Sequence, residues 1–241
     1  MKLNHPHSPA GVVAAPRGRD LLRLKPAETY KSDARTRVWR VEAPPPDGRS
    51  FVIKQFQHSP TRQTWAMLVG MHPAQYERRG TRLLQRRGIS VAPIVDWGVT
   101  FRGPKAKAWL LMPYCGRSLK HRLRKGEFTS HARRMRVLTS VAELTAAMLA
   151  HGLFNRDHKA SNVLIDDTDR AWLIDAGGVR QEKQDAQRLR MLMALAVTVP
   201  PRKVSRAEQV RFLRVVVQRC PELGDVRAVL NRLRALRGRP G

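Results

Sequence analysis

The chain has 241 residues, with 46 Lys and Arg against 19 Asp and Glu, a formal net charge of +27 and 42% hydrophobic residues. That length suits one compact domain of two lobes, or two small domains sharing a cleft, and the apolar fraction excludes wholesale disorder. Two cysteines, Cys115 and Cys220, exclude a disulfide framework and a Cys-rich zinc fold and fit a reduced, cytoplasmic setting.

So large a positive charge calls for an anionic partner: nucleic acid, an anionic membrane face or a phosphorylated glycolipid. The basic residues are spread along the chain and are densest from Arg117 to Arg136. No basic stretch carries the aromatic residues that stack single-stranded bases. A basic surface that only solvates the protein would have the same composition.

Residues 1–24 are rich in Pro, Gly and His and read as a flexible leader. They lack the apolar run of a signal peptide, and no segment offers the ~20 uninterrupted apolar residues of a spanning helix. Alternation from Arg37 to Ala43 predicts a strand, Pro44 to Gly48 a turn, and Phe51 to Phe56 a second strand. A helix opens at His72-Pro73 and stops at Gly88. Strands follow over 92–99 and 108–112, joined by a turn at Arg102 to Lys105. Beyond the break at Pro113 to Gly116 the chain turns helical, over 118–125 and 130–151. Short strands at 163–165 and 171–174 interrupt the helices, which resume around 183–196, 206–218 and 225–236. A strand-rich first part (25–112) and a helical second part (113–241) imply two lobes around a cleft.

The chemistry is concentrated in Asn155-Arg156-Asp157-His158-Lys159-Ala160-Ser161-Asn162-Val163-Leu164-Ile165, followed by Trp172-Leu173-Ile174-Asp175. The two apolar segments flank the polar turn 166–170, and antiparallel pairing is expected to place Val163 near Ile174. Asn162 then lies beside Asp175, and an amide oxygen next to a carboxylate suits a hard cation such as magnesium with phosphate oxygens. Asp157 in the same loop is a candidate base, and Lys159 can meet a phosphate as a point charge. A base, two metal ligands and a cation are parts that phosphoryl transfer needs.

This segment resembles a protein-kinase-like catalytic loop and metal-binding turn. It has an Arg-Asp pair, Asn162 five residues after Asp157, and Asp175 thirteen residues after Asn162. The resemblance implies an α+β, bilobal protein-kinase-like fold, with a small antiparallel sheet plus a helix in the N-lobe and a compact helical C-lobe. It also implies ATP and Mg2+ as cofactors. Lys54, in Phe51-Val52-Ile53-Lys54, resembles the ATP-contacting lysine, and Glu77 on the next helix is its expected partner. Trp109 to Gly116 resembles the adenine-holding strand and hinge, with Met112 behind the ring and Pro113 C=O and Cys115 N–H on its edge.

The chain departs from ordinary protein kinases in several places. The aligned phosphate loop, Lys31 to Val38, has no glycine, Asn155 replaces a histidine, and Ala-Gly-Gly follows Asp175. Only 66 residues follow Asp175. These departures resemble the small bacterial lipopolysaccharide kinases that phosphorylate heptose or Kdo sugars of the lipid A core. The similarity runs from about residue 30 to 220 and includes Gly88-Ile89-Ser90-Val91-Ala92-Pro93, His151 to Asp157, and Arg211-Phe212-Leu213-Arg214. It implies an anionic glycolipid acceptor, lipid A-core, and a cytoplasmic protein peripheral to the inner face of the inner membrane. Two alternatives remain open on sequence: a pseudokinase or binder of RNA or anionic membrane, and a kinase acting on protein or a small molecule. No His pair has the spacing of a zinc site.

Overall fold

The computed structural model describes residues 18–45, 47–57, 65–66, 69–102, 105–182, 184–200 and 202–237. Contacts divide the chain into two compact units. One comprises the chain up to residue 64 with residues 94–114; the other comprises residues 65–93 with the chain from 115 onward.

The first unit is a five-stranded antiparallel sheet, with β1 (Glu28–Ser32), β2 (Thr36–Glu42), β3 (Ser50–Phe56), β4 (Asp96–Arg102) and β5 (Lys105–Pro113) in the order β1-β2-β3-β5-β4. Alternate residues of β2 and β3 bury Trp39, Val41, Phe51 and Ile53 in one cluster, the two-residue period of a pleated strand. In β5, Ala108 to Met112 are all buried, as suits a strand flanked on both edges. The short helix α1 (Gly18–Leu21) packs on this sheet: Gly18 N donates to Asp96 Oδ2 at 2.8 Å and Leu21 joins the core. The stretch expected to be a loose leader is therefore packed from residue 18, while residues 1–17 lie outside the described residues.

Two strand boundaries differ from expectation. β1 carries almost no apolar residue and is exposed at four of five positions, so it gives no periodic signal. β4 begins at Asp96 instead of Ala92, because Pro93 has no N–H for a ladder. Ala92 N instead donates to Leu173 O at 2.9 Å in the second unit. The turn between β1 and β2 closes without glycine. Asp33 Oδ1 accepts from Arg35 N at 2.8 Å and Thr36 N at 2.7 Å, and Lys31 Nζ lies 2.9 Å from Oδ2. The Lys31 hydrogen bond, followed by those two amides, pulls this carboxyl down to about 2.

The second unit holds α2 (Pro73–Arg86), α3 (Leu119–Lys125), α4 (His131–Ala150), α5 (Asp185–Thr198), α6 (Arg206–Arg219) and α7 (Val226–Arg237). Its short strands are β6 (Arg117–Ser118), β7 (Leu153–Asn155), β8 (Val163–Ile165), β9 (Ala171–Leu173) and β10 (Val179–Gln181), paired as β6-β8-β9 and β7-β10. Serine caps start three helices: Ser118, Ser130 and Ser205 accept from His121 N, Arg133 N and Glu208 N. His72 caps α2, its Nδ1 accepting from Ala74 N at 3.1 Å ahead of Pro73. The helix placed around Lys183 begins at Asp185, and Lys183 lies outside the described residues. Val141, Ala142, Met148 and Leu149 of α4 form the centre of the core, against Val163, Ile165 and Leu173 of the hairpin and Leu213 and Val216 of α6.

α2 groups with the second unit, although its sequence position lies in the first half. The cause is Gly80: a Cβ there would stand 1.9 Å from Ala176 O, in the 3-10 turn Ala176–Gly178. Gly116 is a second close approach, with φ +96, and a Cβ on it would stand 2.1 Å from Ile165 O. Gly116→Ala should destabilise the protein by about 2 kcal/mol or more in chemical denaturation. Gly126→Ala is the control: it is left-handed but open, and should cost only about 1 kcal/mol.

Candidate active site

The hairpin β8–β9 sets one end of the site. Val163 pairs with Leu173, Leu164 with Trp172 and Ile165 with Ala171. Ile174 N donates to Asn162 O at 2.9 Å, so Asn162 faces Ile174 and the register is one residue from the expected Val163–Ile174 pairing. The difference follows from burial: Val163, Ile165 and Leu173 are fully buried, and a slip would turn them outward. Asp175 then follows directly, in left-handed backbone (φ 60, ψ 54), a strained conformation for a non-glycine residue.

The turn at the other end of the hairpin is tied to α4. Asp169, also left-handed and buried, lies 2.7 Å from Arg133 Nε and 3.0 Å from Arg136 Nη2. Arg134 pairs with Glu208, and buried Arg122 lies near Glu127 and Asp167. Much of the basic patch from Arg117 to Arg136 thus holds the fold together, and a docking role for it narrows to residues such as Lys120, Arg124 and Lys125.

The loop 155–162 is pinned by its backbone while its charged groups reach solvent. Asn155, buried, accepts from Asp157 N through Oδ1 at 3.0 Å. Asn162 Nδ2 donates to Asp157 O at 2.9 Å. The Asp157 carboxylate is 38% exposed, 3.7 Å from Lys159 Nζ and 4.0 Å from Arg156 Nη2. With Nδ2 committed, the Asn162 amide leaves Oδ1 as its ligand atom, which Ser161 Oγ approaches at 3.4 Å. One amide oxygen and the Asp175 carboxylate suit Mg2+, which keeps several waters and completes its shell with phosphate oxygens.

Glu77 is 3% exposed and lies on α2 beside the Asp175 turn: a Cβ on Gly177 would be 3.7 Å from Glu77 N. Gly80, one turn further along α2, permits this approach. Sequence reasoning missed Gly80, and its signal was a lone glycine inside a helical pattern.

His158 is the second residue that sequence reasoning missed. It is fully buried, with Nε2 3.0 Å from Thr145 Oγ1 on α4. The Thr145 hydroxyl donates to Val141 O at 2.8 Å, so Nε2 carries the ring proton and donates to Oγ1. Among the described residues Nδ1 is then an acceptor with no partner. Burial pushes the imidazole down to about 4, so it is neutral near pH 7.

In the first unit, Lys54 lies on β3 opposite Val38 and Leu110, with Nζ 5.3 Å from the Phe56 ring centre. Met112 pairs with Val52 and Pro113 with Phe51. Cys115 opens the second unit's main segment, and burial with the nearby Asp166 carboxylate holds its thiol up at about 11. The structure thus brings Asp157, Lys159, Asn162, Asp175 and Glu77 into the second unit and Lys54, Met112 and Pro113 onto two adjacent strands of the first.

A family model described as the lipopolysaccharide kinase (Kdo/WaaP) family matches residues 22–215. The chain belongs to this family. The Kdo/WaaP kinases are a protein-kinase-like family, and the five-stranded antiparallel sheet with seven described helices is the mixed α+β fold expected of such a member. Over 127 residues the chain is also 28% identical to serine/threonine-protein kinase 16 of Mus musculus and 29% identical to that of Rattus norvegicus. Each match covers 51% of this chain and 41% of the relative. Among the described residues no helix is long and apolar enough to cross a membrane.

His158 makes stability depend on pH. Its folded value lies below the unfolded value, so the unfolded chain takes up a proton first as pH falls through about 6.5 toward 4. Between pH 7 and pH 5 the protein should lose about 2 kcal/mol through this group. His158→Leu should flatten that slope in denaturation curves at the two pH values, whatever its effect at pH 7.

Proposed function

We propose that the protein transfers the terminal phosphoryl group of ATP to a sugar hydroxyl, heptose or Kdo, of the lipopolysaccharide inner core. The observation that carries this reading is the loop in which Asp157 is fixed through both its N–H and its C=O, leaving its carboxylate exposed between Lys159 and Arg156. Family membership supports the phosphotransfer class and the acceptor class.

Asp157 orients the acceptor hydroxyl and accepts its proton. The hydroxyl oxygen forms a bond to the γ-phosphorus as the bond to the bridging oxygen breaks, and ADP leaves. Lys159 neutralises charge on the transferred group. Asn162 Oδ1 and the Asp175 carboxylate would hold magnesium, which supplies charge neutralisation on the phosphate oxygens. Lys54 positions the inner phosphates, and Met112, Pro113 C=O and Cys115 N–H receive adenine. The protein works in the cytoplasm, at the inner face of the inner membrane. The serine/threonine kinases among the relatives supply the competing acceptor class, a protein hydroxyl.

Asp157→Asn and Asp175→Asn should each lower acceptor-stimulated ATP turnover by about 10³-fold while the melting temperature stays near the parent's. Asp157→Asn should keep ATP affinity, whereas Asp175→Asn should weaken its magnesium dependence. Near-normal turnover in either folded variant overturns the assignment.

A further inference from the structure

Carboxylates are scarce on this chain, and several in the second unit are engaged by arginines that hold the fold together. Asp169 is taken by Arg133 and Arg136, Glu208 by Arg134, Glu143 by Arg219 and Glu222 by Arg188. The surplus of positive charge shows on α6 and α7. A groove of about 410 Å³ between these helices is lined by half-buried Val210, Val226 and Leu230, by exposed Arg214, Arg227 and Arg234, and by no carboxylate. Arg211, one turn before Arg214, lines a second groove of about 410 Å³ with Arg136 and Arg170. The two carboxylates there, Asp169 and Glu143, are already paired. Among the described residues Arg211, Arg214, Arg227 and Arg234 have no ion-pair partner.

We infer that the α6–α7 face is a docking surface for an anionic phospholipid bilayer. Unpaired guanidiniums repel one another, and headgroup phosphates relieve that repulsion with bidentate hydrogen bonds. The aliphatic residues between the arginines match the glycerol and upper acyl region, as in an interfacial amphipathic helix. Nucleic acid fits less well, because neither groove is lined by an aromatic side chain on which bases could stack. The second groove includes Thr168 and Asp169, the turn at the far end of β8–β9 from Asn162 and Asp175. Three-residue strands put about 10 Å between those ends, so a docked bilayer leaves the loop 155–162 uncovered. The inference does not rest on the phosphotransfer reading.

The test is sedimentation of the full chain with vesicles of mixed phosphatidylglycerol and phosphatidylcholine at physiological salt. Arg211→Ser, Arg214→Ser, Arg227→Ser and Arg234→Ser are combined in one variant. The control combines Arg79→Ser, Arg82→Ser, Arg86→Ser and Arg87→Ser on and just after α2, removing the same charge from exposed positions. Each arginine near an anionic bilayer is worth about fivefold in partitioning, so the α6–α7 variant should bind about 600-fold more weakly and the control within about threefold of the parent. Should the fourfold variant melt early, Arg227→Ser with Arg234→Ser is read instead, with about a 20-fold loss expected. Equal losses in both sets would overturn the inference, as would unchanged binding in the α6–α7 variant. Parent protein that binds a single-stranded RNA oligonucleotide but not the vesicles would overturn it too.

Discussion

The arrangement depends on the register of one short hairpin. β8 and β9 are three residues each, too short to be stable alone, yet Val163, Ile165 and Leu173 are wholly buried against α4. Burial of one face fixes the register, and the register fixes which residues leave the strands. Asn162 ends up bonded through its carbonyl to Ile174, and Asp175 enters the turn immediately after it. At the other end, the Asp169 carboxylate shared by two arginines of α4 prevents the turn from drifting.

Around this hairpin, polar groups do positional work that apolar packing cannot do. Asn155 and Asn162 hold the Asp157 peptide from both sides, so the carboxylate is placed without being buried. His158 points the other way, into the core, where its bond to Thr145 ties the same loop to α4. Gly80 lets α2 approach the Asp175 turn closely enough for Glu77 to sit beside Gly177. In a fold with few acids, Asp169 and Glu208 are tied to arginines of α4, and unpaired arginines are left at the surface.

The kinase-like fold class was legible in the sequence because the motif spacing and the interleaved apolar segments agree with each other. Asp157, Asn162 and Asp175 stood out since their separation must match a loop plus a hairpin. Other features carried no periodic signal. The edge strand Glu28–Ser32 is nearly all polar, and β6, β7 and β10 are two or three residues long. The hairpin register was off by one because strand ends are not marked when apolar Ile174 continues the run. Gly80 and His158 act through contacts with residues far away in sequence, and a single chain shows no such pairings. The same limit hid the division of the arginines. Those from Arg122 to Arg136 include buried or paired members, while Arg211, Arg214, Arg227 and Arg234 of α6 and α7 are exposed, and composition treats them alike.

The most direct measurement is the mass of purified lipid A-core oligosaccharide after incubation with the protein, ATP and Mg2+. The account predicts that the acceptor gains a single phosphate on an inner-core heptose or Kdo, and that none is gained with Asp157→Asn. An unmodified acceptor beside a phosphorylated protein substrate, or no transfer by folded protein that binds ATP, would contradict it.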